Sequence, residues 1–195
     1  MHAGRSAFFL RLAGCAVGCP WCDTKHSWPA SAHPERSLAE LAAEARQAAE
    51  AGAAFAVITG GEPLHHDLDP LCDQFQAATT CPAHPAGLPL HLETSGVDPL
   101  SGRFAWITLS PKRHRPPRPE LLAACQELKV VVHGPEDLAF AEAMAAAAPA
   151  GDAAPALLLQ PGWNSADGQR LAIDFVRRHP SWRLSLQSHK WLGVR

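Results

Sequence analysis

Along the chain, short apolar runs of four to six residues alternate with longer stretches in which apolar residues recur every three or four positions. The runs read as buried strands: Ala7 to Leu12, Phe55 to Ile58, Leu90 to Glu93, Trp106 to Leu109, Leu128 to Val132, Ala156 to Leu159 and Trp182 to Leu186. Between them, Ser37-x-x-Glu40 forms a capping box that opens a helix, Leu38, Leu41, Ala42, Ala45 and Ala49 make its apolar stripe, and Gly52 ends it. A weaker helix spans about Asp69 to Ala78, and an alanine-rich one begins at Pro135 and runs to about Ala147. A fourth, from about Ala166 to Arg178, buries Leu171, Ala172, Phe175 and Val176. Residues 79–89 and 112–119 are rich in proline and read as irregular loops, the second basic and exposed.

Such alternation predicts an α/β fold whose parallel sheet is built from βαβ units. At 195 residues the chain is one domain, too short for a closed eight-fold barrel of about 250 residues. The expectation is a partial, TIM-like barrel of about six mostly parallel strands with helices outside. In such folds ligands gather at the carboxyl ends of the strands, where this chain carries one polar motif after another.

Composition narrows the class. A hydrophobic share of 47% with 18% charged residues fits a soluble globular protein, and a net charge of -2 gives no electrostatic case for nucleic acid or membrane. No apolar run reaches bilayer length. With no signal segment at its start, the chain reads as cytoplasmic, so its cysteines are expected to be reduced. Cys72, Cys81 and Cys125 lack ligand spacing and read as plain thiols.

The chemistry concentrates in Leu12 to Thr24, L-A-G-C-A-V-G-C-P-W-C-D-T, where Cys15, Cys19 and Cys22 follow a C-x3-C-x2-C spacing. Three thiolates suit an iron–sulfur cluster with one open metal position. A Cys3His zinc site completed by His26 is the alternative, although the second C-x2-C half usual in zinc knuckles does not follow.

C-x3-C-x2-C in a loop after the first strand resembles the signature of the radical S-adenosylmethionine (SAM) superfamily. F-L-R-L-A-G-C-A-V-G-C-P-W-C-D-T, with its aromatic-Cys-Asp-Thr ending, resembles the 7-carboxy-7-deazaguanine synthase family within it. The resemblance implies a lyase that turns 6-carboxy-5,6,7,8-tetrahydropterin into 7-carboxy-7-deazaguanine with loss of ammonia, in the queuosine and 7-deazapurine pathway. It implies a 4Fe-4S cluster on Cys15, Cys19 and Cys22, SAM on the fourth iron, and Mg2+ on Thr24. Cofactor contacts fall on Gly61 and Glu62 of the G-G-E-P turn, on Ser110-Pro111-Lys112, and on Gln160-Pro161-Gly162-Trp163. Glu93 to Gly96 also has a counterpart near the cofactor.

Substrate contacts would come from Arg11, Thr59 and Arg195. Arg11 interrupts an apolar run, so its guanidinium needs an anionic or carbonyl partner in any case. Lys112 is a cation suited to the methionine carboxylate. From the residues alone, Glu62 reads equally as a solvated turn carboxylate, Lys112 as a surface lysine, Trp163 as an exposed loop indole, and Asp23-Thr24 as a loop cap. Family members carry an L-Q-G-E-G-like segment before the first strand, and Met1 to Ser6 resembles its end, so the substrate-binding amino-terminal segment is expected to be cut short. The resemblance further implies a flavodoxin or ferredoxin reductant and a homodimer. Two rivals remain: a glycyl-radical-enzyme activating protein of the same superfamily and a non-enzymatic zinc-binding module.

Overall fold

The structure, a computed structural model, describes residues 1–193; Arg195 lies outside them. Seven strands form one sheet: β1 (Ala7–Leu12), β2 (Phe55–Gly60), β3 (Leu90–Thr94), β4 (Trp106–Leu109), β5 (Glu127–Val132), β6 (Ala156–Pro161) and β7 (Trp182–Leu184). They lie side by side in chain order and every neighbouring pair is parallel. The expected partial barrel of about six mostly parallel strands is thus present, with seven strands, all parallel. β1 and β7 are the two edges, so the barrel is left open.

Helices α1 (Leu38–Glu50), α2 (Asp69–Ala78), α3 (Pro119–Ala124), α4 (Pro135–Ala147), α5 (Ala166–Arg178) and α6 (Ser188–Leu192) complete the fold. Both halves of the capping box form on α1: Ser37 Oγ accepts from the Glu40 amide, and the Glu40 carboxylate accepts from the Ser37 amide. Two short helices escape the sequence pattern. α3 is a single proline-initiated turn and a half whose Leu121 and Leu122 are buried by the sheet; the last strand, expected to reach Leu186, ends at Leu184, and α6 begins at Ser188 after three irregular residues. Helices of six and five residues gain their stability from packing rather than propensity, which leaves little periodicity to read.

Register divides the sheet into two faces. Leu10, Ile58, Leu92 and Ile107 pair across β1 to β4, and Leu109, Leu128 and Leu157 continue the row to β6. This face meets the helices and is apolar: Ala45, Ile58, Phe75, Leu92, Leu109, Leu121 and Leu128 are fully buried in one cluster. A second cluster under α4 and α5 joins Val130, Val132, Leu159, Ala172, Phe175 and Trp182. Each such leucine, isoleucine, valine or phenylalanine contributes about 1.5–3 kcal/mol of burial, so the helices are fixed to one face and the other is free for polar groups. On that other face stand Arg11, Thr59, His91, Glu93, Thr108, Glu127 and Lys129.

Candidate active site at the carboxyl ends of the strands

β1 delivers the chain into the cysteine loop, which turns back onto the tip of β2. Gly61 N–H donates to the Leu12 carbonyl at 2.8 Å and Glu62 N–H to the Gly14 carbonyl at 2.9 Å. Only glycine allows this seat: a Cβ at Gly60 would stand 2.0 Å from Leu12 O, and one at Gly61 2.4 Å from Gly14 O and 2.9 Å from the Cys15 Cβ. The close approach is to the cysteine loop itself, and the Gly61 amide is spent on it. The far side of the loop is tied by Gly14 N–H and Cys15 N–H to the carbonyls of Ser27 and Trp28, at 2.8 and 3.1 Å.

All three loop thiols are free; Cys19 is buried, Cys15 and Cys22 half-buried. Burial pushes the Cys19 thiol up, while nearby Lys112 pulls it down. Among the described residues no three His, Cys, Asp or Glu side chains converge to hold a single metal ion. His26 is exposed, with its ring paired to His33 at 6.4 Å, so it does not complete a Cys3His zinc set. Thr24 opens the short turn Lys25–Ser27 without a side-chain cap; its carbonyl accepts from Ser27, and its hydroxyl lies 3.5 Å from the Cys22 sulfur. The hydroxyl is thus left facing the cysteines. Asp23 turns the other way, accepting from Gln187 Nε2 at 3.1 Å and from Lys190 on α6. Although burial works against it, those donors hold the Asp23 carboxyl below its ordinary value.

Glu62 is not a solvated carboxylate. It is 1% exposed and saturated from within: Oε1 accepts from Thr94 Oγ1 at 2.5 Å and Leu64 N–H at 3.1 Å, Oε2 from Ser95 N–H at 2.8 Å and Ser95 Oγ at 2.5 Å. Its charge clamps the tips of β2 and β3 together, leaving backbone as what this turn offers a ligand. Lys112 is not a surface lysine either. Half-buried, with Nζ donating to Ser110 Oγ at 2.8 Å, it has its pKa lowered chiefly by desolvation, with Cys19 and Glu62 opposing. The rest of the basic loop is irregular and mostly exposed, as expected.

At the tip of β6, Gly162 leaves room for the His133 ring, whose nearest atom would stand 2.0 Å from a Cβ there. His133 also lies 5.4 Å from Trp21 of the cysteine loop, and its Nε2 is buried with no partner among the described residues. Gln160 Oε1 accepts from Ser185 Oγ at 3.4 Å, and Pro161 closes β6 beside Val132. Trp163 is 46% exposed, and the Lys190 ammonium sits 4.3 Å from its ring centre. α6 is thereby strapped to both the cysteine loop and the β6 tip.

On the polar face, Arg11 pairs in register with Thr59 and donates to Gly60 O at 3.4 Å; β1, read as a buried strand, is an edge with Phe9 and Arg11 exposed, so the guanidinium is not obliged to find a partner within the protein. Thr59 Oγ1 donates to Glu93 Oε2 at 3.0 Å, and Lys129 Nζ reaches Glu93 Oε1 at 3.3 Å from β5, across β4. Lys129 beside it, aided by Thr59, holds the Glu93 carboxyl below its ordinary value despite burial. Sequence reasoning missed Lys129, yet the signal was the one that exposed Arg11: a lone cation in an apolar run, here E-L-K-V-V-V. It also missed His133, and His65 with Asp98, which carry no spacing signal.

These residues fit an iron–sulfur cluster and an adenosyl cofactor. Three free thiols share one irregular loop, a half-buried ammonium stripped of water gains from an anionic ligand, and an unpartnered buried nitrogen lines the same rim.

Fold and loop together define a class: the chain belongs to the radical SAM superfamily, whose family model matches residues 10–136. The chain is 53% identical to the 7-carboxy-7-deazaguanine synthase of Prochlorococcus marinus, covering all of this chain and 92% of that protein. It is 46% identical to that of Synechocystis, over 99% of this chain and 86% of the relative, and 33% identical to that of Escherichia coli K12, over 98% and 91%. The crystal structure of QueE from Escherichia coli superposes with a TM-score of 0.73, covering 94% of this chain and 86% of that one at 33% identity. Within the superfamily, then, it is a member of the 7-carboxy-7-deazaguanine synthase family.

Proposed function

We propose that this chain converts 6-carboxy-5,6,7,8-tetrahydropterin to 7-carboxy-7-deazaguanine, with loss of ammonia. The observation that carries the reading is the C-x3-C-x2-C-D-T loop seated on Gly60-Gly61 at the strand tips, in a chain similar over its whole length to enzymes of that name. Cys15, Cys19 and Cys22 hold the 4Fe-4S cluster. When bound, the cluster and SAM would supply one-electron radical chemistry at the pterin.

The protein's share is orientation and charge. The Gly61-Glu62 backbone, Ser110-Pro111-Lys112 and Gln160-Pro161-Gly162-Trp163 hold SAM, with the Lys112 ammonium on the methionine carboxylate. Arg11, Thr59 and Arg195 hold the pterin. Thr24 would hold Mg2+, which would supply positive charge for the substrate carboxylate. A hard cation that keeps most of its waters needs only one protein hydroxyl beside the substrate oxygens, and the Thr24 hydroxyl has no capping duty. The reductant is a flavodoxin or ferredoxin, and the working form is a cytoplasmic homodimer. Among the described residues no helix is long and apolar enough to cross a membrane.

The test is anaerobic incubation of the reconstituted protein with SAM, reductant, Mg2+ and the carboxytetrahydropterin, followed by mass spectrometry. Catalytic formation of 7-carboxy-7-deazaguanine with SAM regenerated supports the reading; SAM consumed without that product overturns it. Thr24→Ala is expected to weaken the Mg2+ dependence of turnover, and an unchanged dependence removes Thr24 from the metal site.

A further inference from the structure

The span between Cys15 and Cys19 has no secondary structure to hold it, and three of its polar backbone atoms are bonded by side chains from elsewhere. Ala16 N–H donates to His65 Nε2 at 3.0 Å, Arg115 donates to the Ala16 carbonyl at 2.5 Å, and His114 Nε2 lies 3.1 Å from the Val17 carbonyl. Of the three, His65 is bonded at both ring nitrogens. Because Nε2 must accept from Ala16, the proton sits on Nδ1, which donates to Asp98 Oδ2 at 2.5 Å. His65 closes the short turn Pro63–His65 directly after the G-G-E stretch, and Asp98 follows the Ser95-Gly96 tip of β3. Glu62 already joins those two tips through Ser95. The pair carries that rigid corner out to the first amide after Cys15.

We propose that Asp98 and His65 are positioning residues that hold the Cys15–Cys19 span in its cluster-binding shape. Asp98 fixes the tautomer and rotation of His65, and His65 fixes Ala16. The role rests on the three cysteines holding the cluster, and it concerns how firmly the cluster is kept rather than the chemistry performed on it. His66 serves the stem of the same loop, with Nε2 2.8 Å from the Ala13 carbonyl, and is not backed by a carboxylate among the described residues.

The experiment is the rate of iron loss from the reconstituted full chain to a chelator, compared across variants in the absence of SAM and substrate. His65→Leu, which removes the acceptor, is expected to release iron about tenfold or more faster than the unmodified chain, the scale on which supporting partners of metal ligands act. His65→Gln keeps an acceptor for Ala16 and is expected to restore slow release. Asp98→Ala is expected to speed release several-fold, but to add nothing in the His65→Gln background, where there is no imidazole left to orient. Equal rates for His65→Leu and the unmodified chain, a His65→Gln as fast as His65→Leu, or an Asp98→Ala effect that persists beside His65→Gln would overturn the proposal. If His65→Leu does not fold, the last two variants decide alone. An unmodified chain that holds no iron defeats the cysteine assignment together with the brace, whereas one that holds iron with no His65 dependence defeats the brace only.

Discussion

The two ends of the same parallel strands treat polar side chains in opposite ways. At the amino ends, His91 stacks flat on Phe55 at 4.2 Å, and His2 packs against His91 and Trp106, both at 4.6 Å. Burial, with His2 and Arg5 nearby, drives the His91 pKa down to about 4, so the ring is kept neutral and serves as one more aromatic plate. At the carboxyl ends the charges stay. Glu62 is buried among four donors, Glu93 is held by Lys129, and Lys112 stands half-buried beside Cys19. One end gives up the charge of His91 for packing while keeping Glu127 on the Met1 ammonium at 2.7 Å; the other surrounds several charges with partners. That is the division of labour expected of parallel α/β folds, stability below and chemistry above.

Substitutions should separate the two ends. The largest effect belongs to Cys19→Ala, which is expected to abolish cluster assembly and turnover while leaving the fold intact; iron and sulfide analysis at the unmodified ratio would refute it. Next comes Glu62→Leu, which strands four donors in the interior and is expected to cost about 3–5 kcal/mol in denaturant unfolding. A loss under about 1 kcal/mol would mean that the corner is not the rigid piece described. Lys129→Met removes the cation that holds Glu93 ionised. The Glu93 carboxyl then rises from its lowered value, so the acid limb of the activity profile should move to higher pH, with turnover at neutral pH reduced roughly tenfold. An unmoved acid limb would detach the pair from the site.

The smallest effect tests the opposite end. His91 binds protons less readily folded than unfolded, so its contribution to stability is complete above about pH 6.5 and is lost as pH falls toward about 4. His91→Phe keeps the stack on Phe55, and is expected to remove on the order of 2 kcal/mol of acid sensitivity across that window without changing turnover at neutral pH. Thermal melts of both proteins at several pH values check it; parallel curves would show that His91 does not carry the acid sensitivity.

Much of this was legible in the residues. The strand positions, the capped helix at Ser37 and the cysteine loop stand where apolar period, cap chemistry and ligand spacing put them, because each depends on neighbours within a few positions. α3 and α6 were not legible, since a helix of six or five residues owes its existence to the surface beneath it. Trp163 in its exposed loop could be read as indole but not as the seat of the Lys190 ammonium.

The sequence by itself determined that a parallel α/β domain would present three thiols in a loop at the end of its first strand. Register and packing decided the rest: that Glu62 turns inward, that the Gly61 amide serves the cysteine loop, and that Lys129 crosses β4 to reach Glu93. They also decided that Asp98 reaches Ala16 through His65. Local pattern fixes which atoms can bond, but partners separated by tens of residues meet only when the sheet's order and alternation bring their side chains to one end and one face.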